Sequence, residues 1–349
     1  MEQRNKKAVY RRAKNRLILF NSLVSVLLAV CMILSAFFGL SIYIFGDMKQ
    51  GHIAQDHDSL GINSEVSSKL PKDIVNIALF GIDTRSNKAV NRTEALTGRS
   101  DTIIILSINT NNNTIKLTSL LRDSWVPING KISNGKNYDA MNKINAAYGL
   151  GGPELAIKTI NQNFHLNITD YVSVSMHQMK NVIDILDGVD IQITEMERRR
   201  INELSNSEGF TADRVTKTGL VHLNGTQALS YSRIRDDSEE LRVRRQQKVL
   251  SCLLEKAKNL AVADYPDVLR EILSTVETSM SFDEIFEFSP LLSVSGIHLE
   301  STTIPGKEVV AQGGIFPDTR GGWVWKYDLE KAKNYIYQWI YGIKLEEEK

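Results

Sequence analysis

Cysteine is scarce in this chain, which has only two such residues, Cys31 and Cys252. Because Cys31 falls in a long apolar run and Cys252 stands alone outside it, the sequence provides neither a disulfide framework nor a cysteine zinc site. The fold must therefore be held together by an apolar core, which a chain of 349 residues is long enough to build. The sequence also has no internal repeat and no low-complexity segment.

The short motifs of common hydrolases and nucleotide-binding enzymes are missing as well. There is no HExxH, no GxSxG and no phosphate-binding P-loop. Histidines are scattered without ligand spacing, at His165, His177, His222 and His298. The sequence therefore assigns neither a histidine metal site nor Ser-His-Asp catalysis.

Basic charge is concentrated at the N-terminus and is in deficit elsewhere. The first 16 residues carry seven basic side chains against one acid, Glu2, although the formal net charge of the whole chain is only +1. The remainder of the chain is therefore net acidic. This balance argues against nucleic-acid binding, whose usual footprint is a broad basic face.

An uncharged apolar stretch follows the basic tail and occupies residues 17–45. A spanning helix needs about 20 residues, whereas a cleaved signal peptide has a shorter apolar core. We therefore predict an uncleaved, single-pass membrane anchor at 17–45, with the tail at 1–16 in the cytoplasm under the positive-inside rule. The polar stretch at 46–71 is typical of a linker. The domain at 72–345 would then lie outside the cell, in a type II arrangement.

Apolar periodicity predicts strands that alternate with helices in this domain. Strands are expected at 74–83, 101–108, 114–123, 171–175, 189–194 and 297–305. Helices are expected at 153–164, 176–186, 224–230, 246–261, 267–280 and 327–341. This alternation favours an α/β fold in which helices sandwich a central mixed β-sheet, with a hairpin between the second and third strands.

Two aspartates lie at predicted strand ends. Asp83 follows the first strand and Asp101 opens the second. Two carboxylates brought together need a proton or a cation, and Mg²⁺ is the natural cation beside phosphate. The alternative is that Asp101 caps a turn while Asp83 pairs with Arg85. Spacing alone leaves both interpretations open.

Five arginines crowd one short segment of the chain: Arg233, Arg235, Arg242, Arg244 and Arg245. Guanidinium groups repel one another, and their planar fork matches phosphate oxygens, so the cluster favours a bound anion. Arg233 and Arg235 would share a face if their segment is extended. On a helix, Arg242, Arg245 and Gln246 would form a stripe. The alternative is a solvated basic helix that neighbouring acids balance.

Two tryptophans stand close together near the C-terminus, in the sequence GGWVWKYD. Trp323 and Trp325 could line an apolar groove, or they could pack in the core or against the surface as aromatic side chains usually do. The sequence does not decide between these roles.

Six motifs, taken together and in this order, resemble the LytR–CpsA–Psr family of cell-wall assembly proteins. They are NIALFGIDTR, GRSDTIIILSIN, KLTSLLRDSWVPI, KINAAYGLGG, LNGTQALSYSRIR and RVRRQQ. The match extends from about residue 73 to residue 254. A basic tail and a single anchor are also typical of this family.

The resemblance implies an extracytoplasmic phosphotransferase in the cell membrane. Such proteins move a teichoic acid or a capsular polysaccharide from a polyprenyl-pyrophosphate carrier to peptidoglycan. A muramic acid hydroxyl would attack the polymer-side phosphorus, and polyprenyl phosphate would leave. Two alternatives stay open. One is a hydrolase that discharges the carrier without an acceptor. The other is a non-catalytic lipid-phosphate-binding regulator, since family members have been labelled transcriptional attenuators.

The resemblance also implies roles for the motif residues. Asp83 and Asp101 would hold Mg²⁺ or Mn²⁺, and either carboxylate would help to deprotonate the acceptor hydroxyl. The residues implied in catalysis are Asp83, Asp101, Arg99 and Arg122. The residues implied in pyrophosphate binding are Arg85, Arg99, Arg122, Arg233, Arg235, Arg242 and Gln246. The prenyl tail would occupy an apolar tunnel between sheet and helices.

Overall fold

A computed structural model describes residues 32, 35, 39–82, 98–207, 214–236, 238–261, 263–288, 298–319 and 321–343. The chain divides into two units, Met1–Asp47 and Met48–Lys349. In the first unit residues 39–45 are helical, and most of the predicted anchor at 17–45 lies outside the described residues. Where the structure describes the chain, no helix has both the length and the apolar character needed to span a membrane.

A mixed sheet of seven strands forms the centre of the second unit. In spatial order its strands are β1 (Lys49–Gln50), β10 (Glu277–Thr278), β7 (Asp170–Ser175), β2 (Ile74–Ile82), β3 (Ser100–Asn109), β4 (Thr114–Leu120) and β11 (His298–Ile304). The pairs β1–β10, β7–β2 and β4–β11 are parallel, and the other three are antiparallel. The α/β class, the mixed central sheet and the β3–β4 hairpin are therefore confirmed.

Helices lie on both faces of this sheet, which explains why its central strands are almost continuously apolar. Along β2, Ala78 and Phe80 belong to the main core, whereas Ile77 and Leu79 point to the opposite face. Helices α2 (Ala146–Phe164) and α9 (Leu329–Tyr341) cover the main core. Helix α2 begins at Ala146, before the predicted start at residue 153. The prediction missed this first part because Gly151 and Gly152 take non-helical angles and interrupt the apolar pattern.

A second core lies outside the central sheet. It is formed by helices α3 (Met176–Ile185), α4 (Glu195–Ser207), α5 (Gly225–Ser232) and α6 (Glu239–Lys258), together with the hairpin of β8 (Val189–Ile193) and β9 (Gly219–Leu223). The strand predicted at 189–194 is therefore present, but it pairs with β9 instead of joining the central sheet. Its alternating burial shows one face on the second core and one in solvent.

Two further hairpins, three short helices and the 3₁₀ turn Pro317–Thr319 are also present. The hairpins pair β5 (Trp125–Lys131) with β6 (Asn137–Lys143), and β12 (Ala311–Ile315) with β13 (Trp323–Tyr327). The helices are α1 (Ser64–Ser68), α7 (Tyr265–Thr275) and α8 (Phe282–Glu287). The long helix predicted at 267–280 is thus wrong beyond residue 275, because the chain turns there into strand β10.

The prediction of a linker at 46–71 is wrong for most of that segment. Strand β1 extends the central sheet through its pairing with β10, and Gly51 N donates to Thr278 O at 2.8 Å. Leu60, Ile62 and Leu70 are buried in the main core. No pattern in the sequence indicates this burial, because three buried side chains spread over a polar stretch produce no apolar period.

Replacing Leu60 by alanine is expected to lower the free energy of unfolding by about 2–5 kcal/mol, because Leu60 is fully buried and its loss leaves a cavity. Urea denaturation of the full-length protein in detergent measures the change. The matched control is Leu220→Ala on β9, where the side chain is 72% exposed, with an expected change within about 0.5 kcal/mol. Equal effects of the two substitutions would show that residues around Leu60 are not part of the folded unit.

Candidate functional site

Strand ends converge at one edge of the central sheet. Strands β2 and β4 end at this edge, at Ile82 and Leu120, and β3 begins there at Ser100 because it is antiparallel to both. The parallel partners β7 and β11 end at the same edge, at Ser175 and Ile304. Such an edge collects side chains from loops far apart in sequence, which is why ligand sites of open sheets often form there.

Asp101 and Arg122 form an ion pair at this edge. Arg122 Nη1 donates to Asp101 Oδ1 at 2.6 Å, and both side chains are about one-fifth exposed. Arg122 Nε also donates to Asp123 Oδ2 at 3.3 Å, while Lys143 Nζ donates to Asp123 Oδ1 at 2.7 Å. Burial acts to lower the pKa of Arg122, but the two carboxylates outweigh it and raise the pKa above its usual value. Arg122 is therefore a firmly held cation.

Arg242, in the first turn of α6, lies across from this pair. Its side chain is only 4% exposed, and Nη2 donates to Glu239. Burial is the main cause that lowers the pKa of Arg242; Arg122 and Arg235 lower it further, against the opposing effect of Glu239. Arginine nevertheless keeps its charge in proteins. Among the described residues, the buried Nε of Arg242 has no hydrogen-bond partner.

A small pocket separates the strand side of the site from helix α6. Asp101 and Arg122 line it from the sheet, and Arg242, Val243 and Gln246 line it from the helix. The half-exposed Arg235 approaches from the segment between α5 and α6, with its Nη2 3.9 Å from Asp101 Oδ2. The structure therefore brings together five of the predicted site residues: Asp101, Arg122, Arg235, Arg242 and Gln246.

The arginine-rich segment folds as a helix, a turn and a second helix. Asn224 forms a capping box with Gln227, so α5 runs from Gly225 to Ser232 and ends at Arg233, which has helical angles. The condition under which Arg233 and Arg235 would share a face, an extended segment, is therefore not met at Arg233. Ser238 then caps α6 by accepting from Leu241 N. Helix α6 begins seven residues before the predicted start at 246, since its charged first turn hides the apolar period.

The stripe predicted for Arg242, Arg245 and Gln246 is divided between two environments. Arg245 is buried in the second core, where its Nε donates to Glu197 Oε1 at 2.9 Å and its guanidinium lies 5.9 Å from the Tyr231 ring centroid. Only Arg242 and Gln246 face the pocket. Arg244 pairs on the surface with Glu240. Arg245 is thus a structural residue, and Arg244 belongs to the solvated face.

Three residues near the site were not singled out from the sequence. Asp123 accepts from both Arg122 and Lys143, so Lys143 acts on Arg122 only through Asp123. Gln247 is buried, and its Nε2 donates to Ser119 Oγ and Thr302 O, both at 2.9 Å. Gln247 therefore fastens α6 to strands β4 and β11. Its signal in the sequence is a polar residue four positions after Val243, on the buried face of the helix.

The remaining predicted residues are placed less completely. Asp83 and Arg85 lie outside the described residues. Arg99 is exposed at the start of β3, and its Cγ lies 3.6 Å from the place that a Cβ on Gly149 would occupy. Over the described ranges there is no group of three or more His, Cys, Asp or Glu side chains that could hold a metal ion. Arg233 closes α5 as its C-terminal cap.

Known proteins resemble this chain over most of its length. The model of the LytR_cpsA_psr family matches residues 39–335. A relative from Bacillus mycoides, named polyisoprenyl-teichoic acid–peptidoglycan teichoic acid transferase TagU, is 30% identical over 269 residues, which are 76% of this chain and 79% of the relative. A relative of the same name from Enterococcus faecalis is 32% identical over 219 residues, covering 61% and 64% of the two chains.

Solved structures show the same fold at lower identity. Protein gbs0355 from Streptococcus agalactiae matches with a TM-score of 0.65 and 22% identity, over 82% of this chain and 93% of its own. The LytR-CPS2A-psr family protein YwtF (TagT), solved with bound octaprenyl pyrophosphate lipid, matches with a TM-score of 0.58 and 22% identity, over 84% and 100% of the two chains.

Proposed function

The chain belongs to the LytR_cpsA_psr family, and on that basis we propose that it is a membrane-anchored phosphotransferase acting outside the cell. It would move an anionic glycopolymer, a teichoic acid or a capsular polysaccharide, from a polyprenyl-pyrophosphate carrier to peptidoglycan. The names of these relatives support the reaction class, since both are teichoic acid transferases. The lipid bound to YwtF supports the carrier.

One observation carries the proposal at the level of side chains. Arg242 is a buried cation with an unpartnered Nε among the described residues, and it lines a pocket whose opposite wall holds Arg122. Buried polar groups are normally hydrogen-bonded, and buried guanidinium groups need an anion or several acceptors. Glu239 supplies one carboxylate to Nη2, and a pyrophosphate oxygen placed in this pocket would supply the acceptor that Nε lacks.

The residues of the chain would act by positioning and charge neutralisation, which dominate phosphoryl transfer. An acceptor hydroxyl would form a bond to the polymer-side phosphorus, the anhydride bond would break, and the electron pair would leave with polyprenyl phosphate. Arg122 and Arg242 would stabilise the charge that accumulates on the phosphate oxygens, with Arg99, Arg233, Arg235 and Gln246 around them. The proton of the acceptor hydroxyl would pass to Asp101 or Asp83.

A divalent cation fits the chemistry of the proposed aspartate pair. Asp101 Oδ1 accepts from Arg122, but Oδ2 lies 3.9 Å from Arg235 Nη2, which is too far for a hydrogen bond. That oxygen is therefore suited to a cation, and Asp83 would supply the second carboxylate. Mg²⁺ prefers one or two carboxylates together with phosphate oxygens. When bound there, Mg²⁺ or Mn²⁺ would supply neutralising charge for the pyrophosphate.

The face of the sheet opposite the main core supports a site for the prenyl chain. Among the described residues, Ile77, Ile104, Ile108, Leu117 and Met280 are buried on this side, while Val75, Leu79, Leu106 and Val172 are only partly buried. Most of these residues lie on neighbouring strands of the central sheet. The anion pocket lies at the edge of the same sheet where β2 and β4 end. An apolar chain that covered these residues would remove exposed apolar surface from water.

The function is tested with full-length protein in detergent, given a polyprenyl-pyrophosphate-linked glycan, an uncrosslinked peptidoglycan strand and Mg²⁺. The expected product is a phosphodiester between glycan and strand. Chelation by EDTA should lower the rate by at least about tenfold, and added Mg²⁺ should restore it. Asp101→Asn should reduce both the rate and its metal dependence, whereas the exposed control Asp190→Asn on β8 should change neither.

Other products in this assay would indicate a different function. Release of free phosphorylated glycan despite a competent acceptor would establish the hydrolase, and the transferase proposal would fail. Binding of the lipid without any turnover would favour the regulator. Full activity in EDTA would exclude the metal while leaving the transfer reaction in place.

A further inference from the structure

An ion pair on helix α4 reaches the segment that carries Arg235, and the proposed mechanism does not use it. Arg200 Nη2 donates to Asp236 Oδ1 at 2.6 Å, and Arg200 Nε contacts the second oxygen of the same carboxylate. Arg200 Nη1 also donates to Glu203. A guanidinium that meets both oxygens of one carboxylate makes a strong and directional ion pair. This pair joins α4 to the segment between α5 and α6.

Arg235 depends on this segment for its place at the anion pocket. Its Nη2 lies 3.9 Å from Asp101 Oδ2, which exceeds hydrogen-bond distance, and its side chain is 53% exposed. A contact of this kind is too weak to fix a long side chain. The position of Arg235 is therefore set by the backbone on its two sides.

The residues directly before and after Arg235 are both held. Ile234 is fully buried in the second core, and its carbonyl oxygen accepts from Arg245 Nη1 at 3.4 Å. Asp236, on the other side, is held by Arg200. One neighbour is thus fixed by apolar burial and the other by charge, which restricts the directions that the side chain of Arg235 can take.

Arg200 itself stands on a firmly packed part of α4. The next residue, Ile201, is fully buried in the second core. Asn202 Nδ2 donates to Val215 O, and Val215 N donates to Asn202 Oδ1, each at 2.9 Å. Because the helix is held at these adjacent positions, Arg200 provides a fixed point for Asp236.

We propose that Arg200 is a positioning residue: by holding Asp236, it keeps Arg235 oriented at the anion pocket to bind the pyrophosphate of the donor. The proposal rests on the proposed transferase function. Arg200 acts through Arg235 and does not need to touch the donor. A donor that meets an already oriented arginine does not have to order that side chain on binding, so preorganisation raises its affinity.

Binding is measured by calorimetry on full-length protein in detergent, with a polyprenyl pyrophosphate as the probe. Arg200→Gln is expected to weaken binding about fivefold, since the pair is more than one-third exposed. Asp236→Asn should weaken binding to a similar extent. The direction of this second effect is decisive, because removing a negative charge near an anion site would strengthen binding if only long-range electrostatics were involved.

The matched control is Arg199→Gln on the same helix. Its side chain is 64% exposed, and its Nε lies 3.9 Å from Glu195 Oε1. This variant removes the same charge one residue away without touching Asp236, so it should bind the probe as the unchanged protein does.

A double-substitution cycle separates positioning from a general loss of stability. In an Arg235→Ala background, Arg200→Gln should cause no further loss of affinity, because the residue that it positions is gone. A further fivefold loss there would overturn the proposal, as would unchanged or stronger binding by Asp236→Asn. If Arg200→Gln does not fold, Asp236→Asn is used in the same cycle.

The binding measurement does not require turnover, so the positioning role and the transferase function can fail separately. In the transfer assay, Arg200→Gln should raise the KM for the lipid-linked donor and leave the KM for the peptidoglycan strand unchanged. Binding that depends on Arg200 in a protein that performs no transfer would leave the positioning role standing and reject the transferase function. Transfer by a protein whose donor binding ignores Arg200→Gln would do the reverse. An unchanged protein that binds no polyprenyl pyrophosphate would overturn both.

Discussion

Arg122→Ala is expected to lower kcat/KM for glycopolymer transfer by about 10²–10³-fold, the usual effect of removing one preorganised donor to transition-state charge. Arg122 is held by Asp101 at 2.6 Å and by Asp123 at 3.3 Å, so it needs little rearrangement when the phosphate oxygens gain charge. Its loss would also leave two partly buried carboxylates without their shared cation. The rate is followed with a radiolabelled lipid-linked glycan and a peptidoglycan strand.

Two further substitutions separate the role of Arg122 from a general loss of positive charge. Arg122→Lys keeps the charge but not the planar fork, so it should recover only part of the activity. Arg244→Ala removes an exposed arginine from the first turns of α6, where it pairs with Glu240, and should stay within about twofold of the unchanged protein. A folded Arg122→Ala protein that kept half of its activity would show that transfer takes place elsewhere.

The central strands could be predicted from sequence because burial on both faces makes them apolar throughout. Strands β2 and β3 are of this kind, and their predicted ranges agree closely with the structure. Strand β4, TIKLTSL, is less apolar, and it was predicted as the hairpin partner of β3. Strand β6 could not be found this way. Its sequence, NYDAMNK, is partly or fully exposed at every position, and it is stabilised by pairing with β5. A strand that has neither face buried shows no apolar period in its sequence, even when it is paired.

The candidate site was predictable to the extent that it depends on local structure. Asp101 and Arg122 come together because β3 and β4 form a hairpin, and that hairpin was expected from the sequence. The sequence did not predict that Arg242 faces the pocket while Arg245 faces the second core. Successive helix positions turn by about 100°, and which arginine meets an anion depends on what packs there. Arg245 meets Glu197, which comes from helix α4, a helix that the sequence had not indicated.

The pair of Arg245 and Glu197 leads to the second large expected effect, which is on stability. Arg245→Met is expected to lower the free energy of unfolding by about 3–5 kcal/mol, because it leaves the Glu197 carboxylate buried without its cation. Glu197 is 12% exposed at its side chain, and its other oxygen accepts from Thr194 N at 2.9 Å, at the start of α4. Urea denaturation of the full-length protein measures the loss, and Arg244→Met serves as the exposed control.

The double substitution Glu197→Leu with Arg245→Met tests whether the loss comes from the unpaired charge. Apolar side chains of similar volume can replace a buried ion pair with little cost, so the double variant should be more stable than Arg245→Met alone. It would still lack the bonds from Thr194, so recovery should be partial. If the stability losses of Glu197→Leu and Arg245→Met, measured singly, add up to the loss in the double variant, the pair contributes no coupling energy. The double variant should also retain transfer activity. Restored packing between α4 and α6 would keep Arg242 and Gln246, which lie on α6, in their places at the pocket.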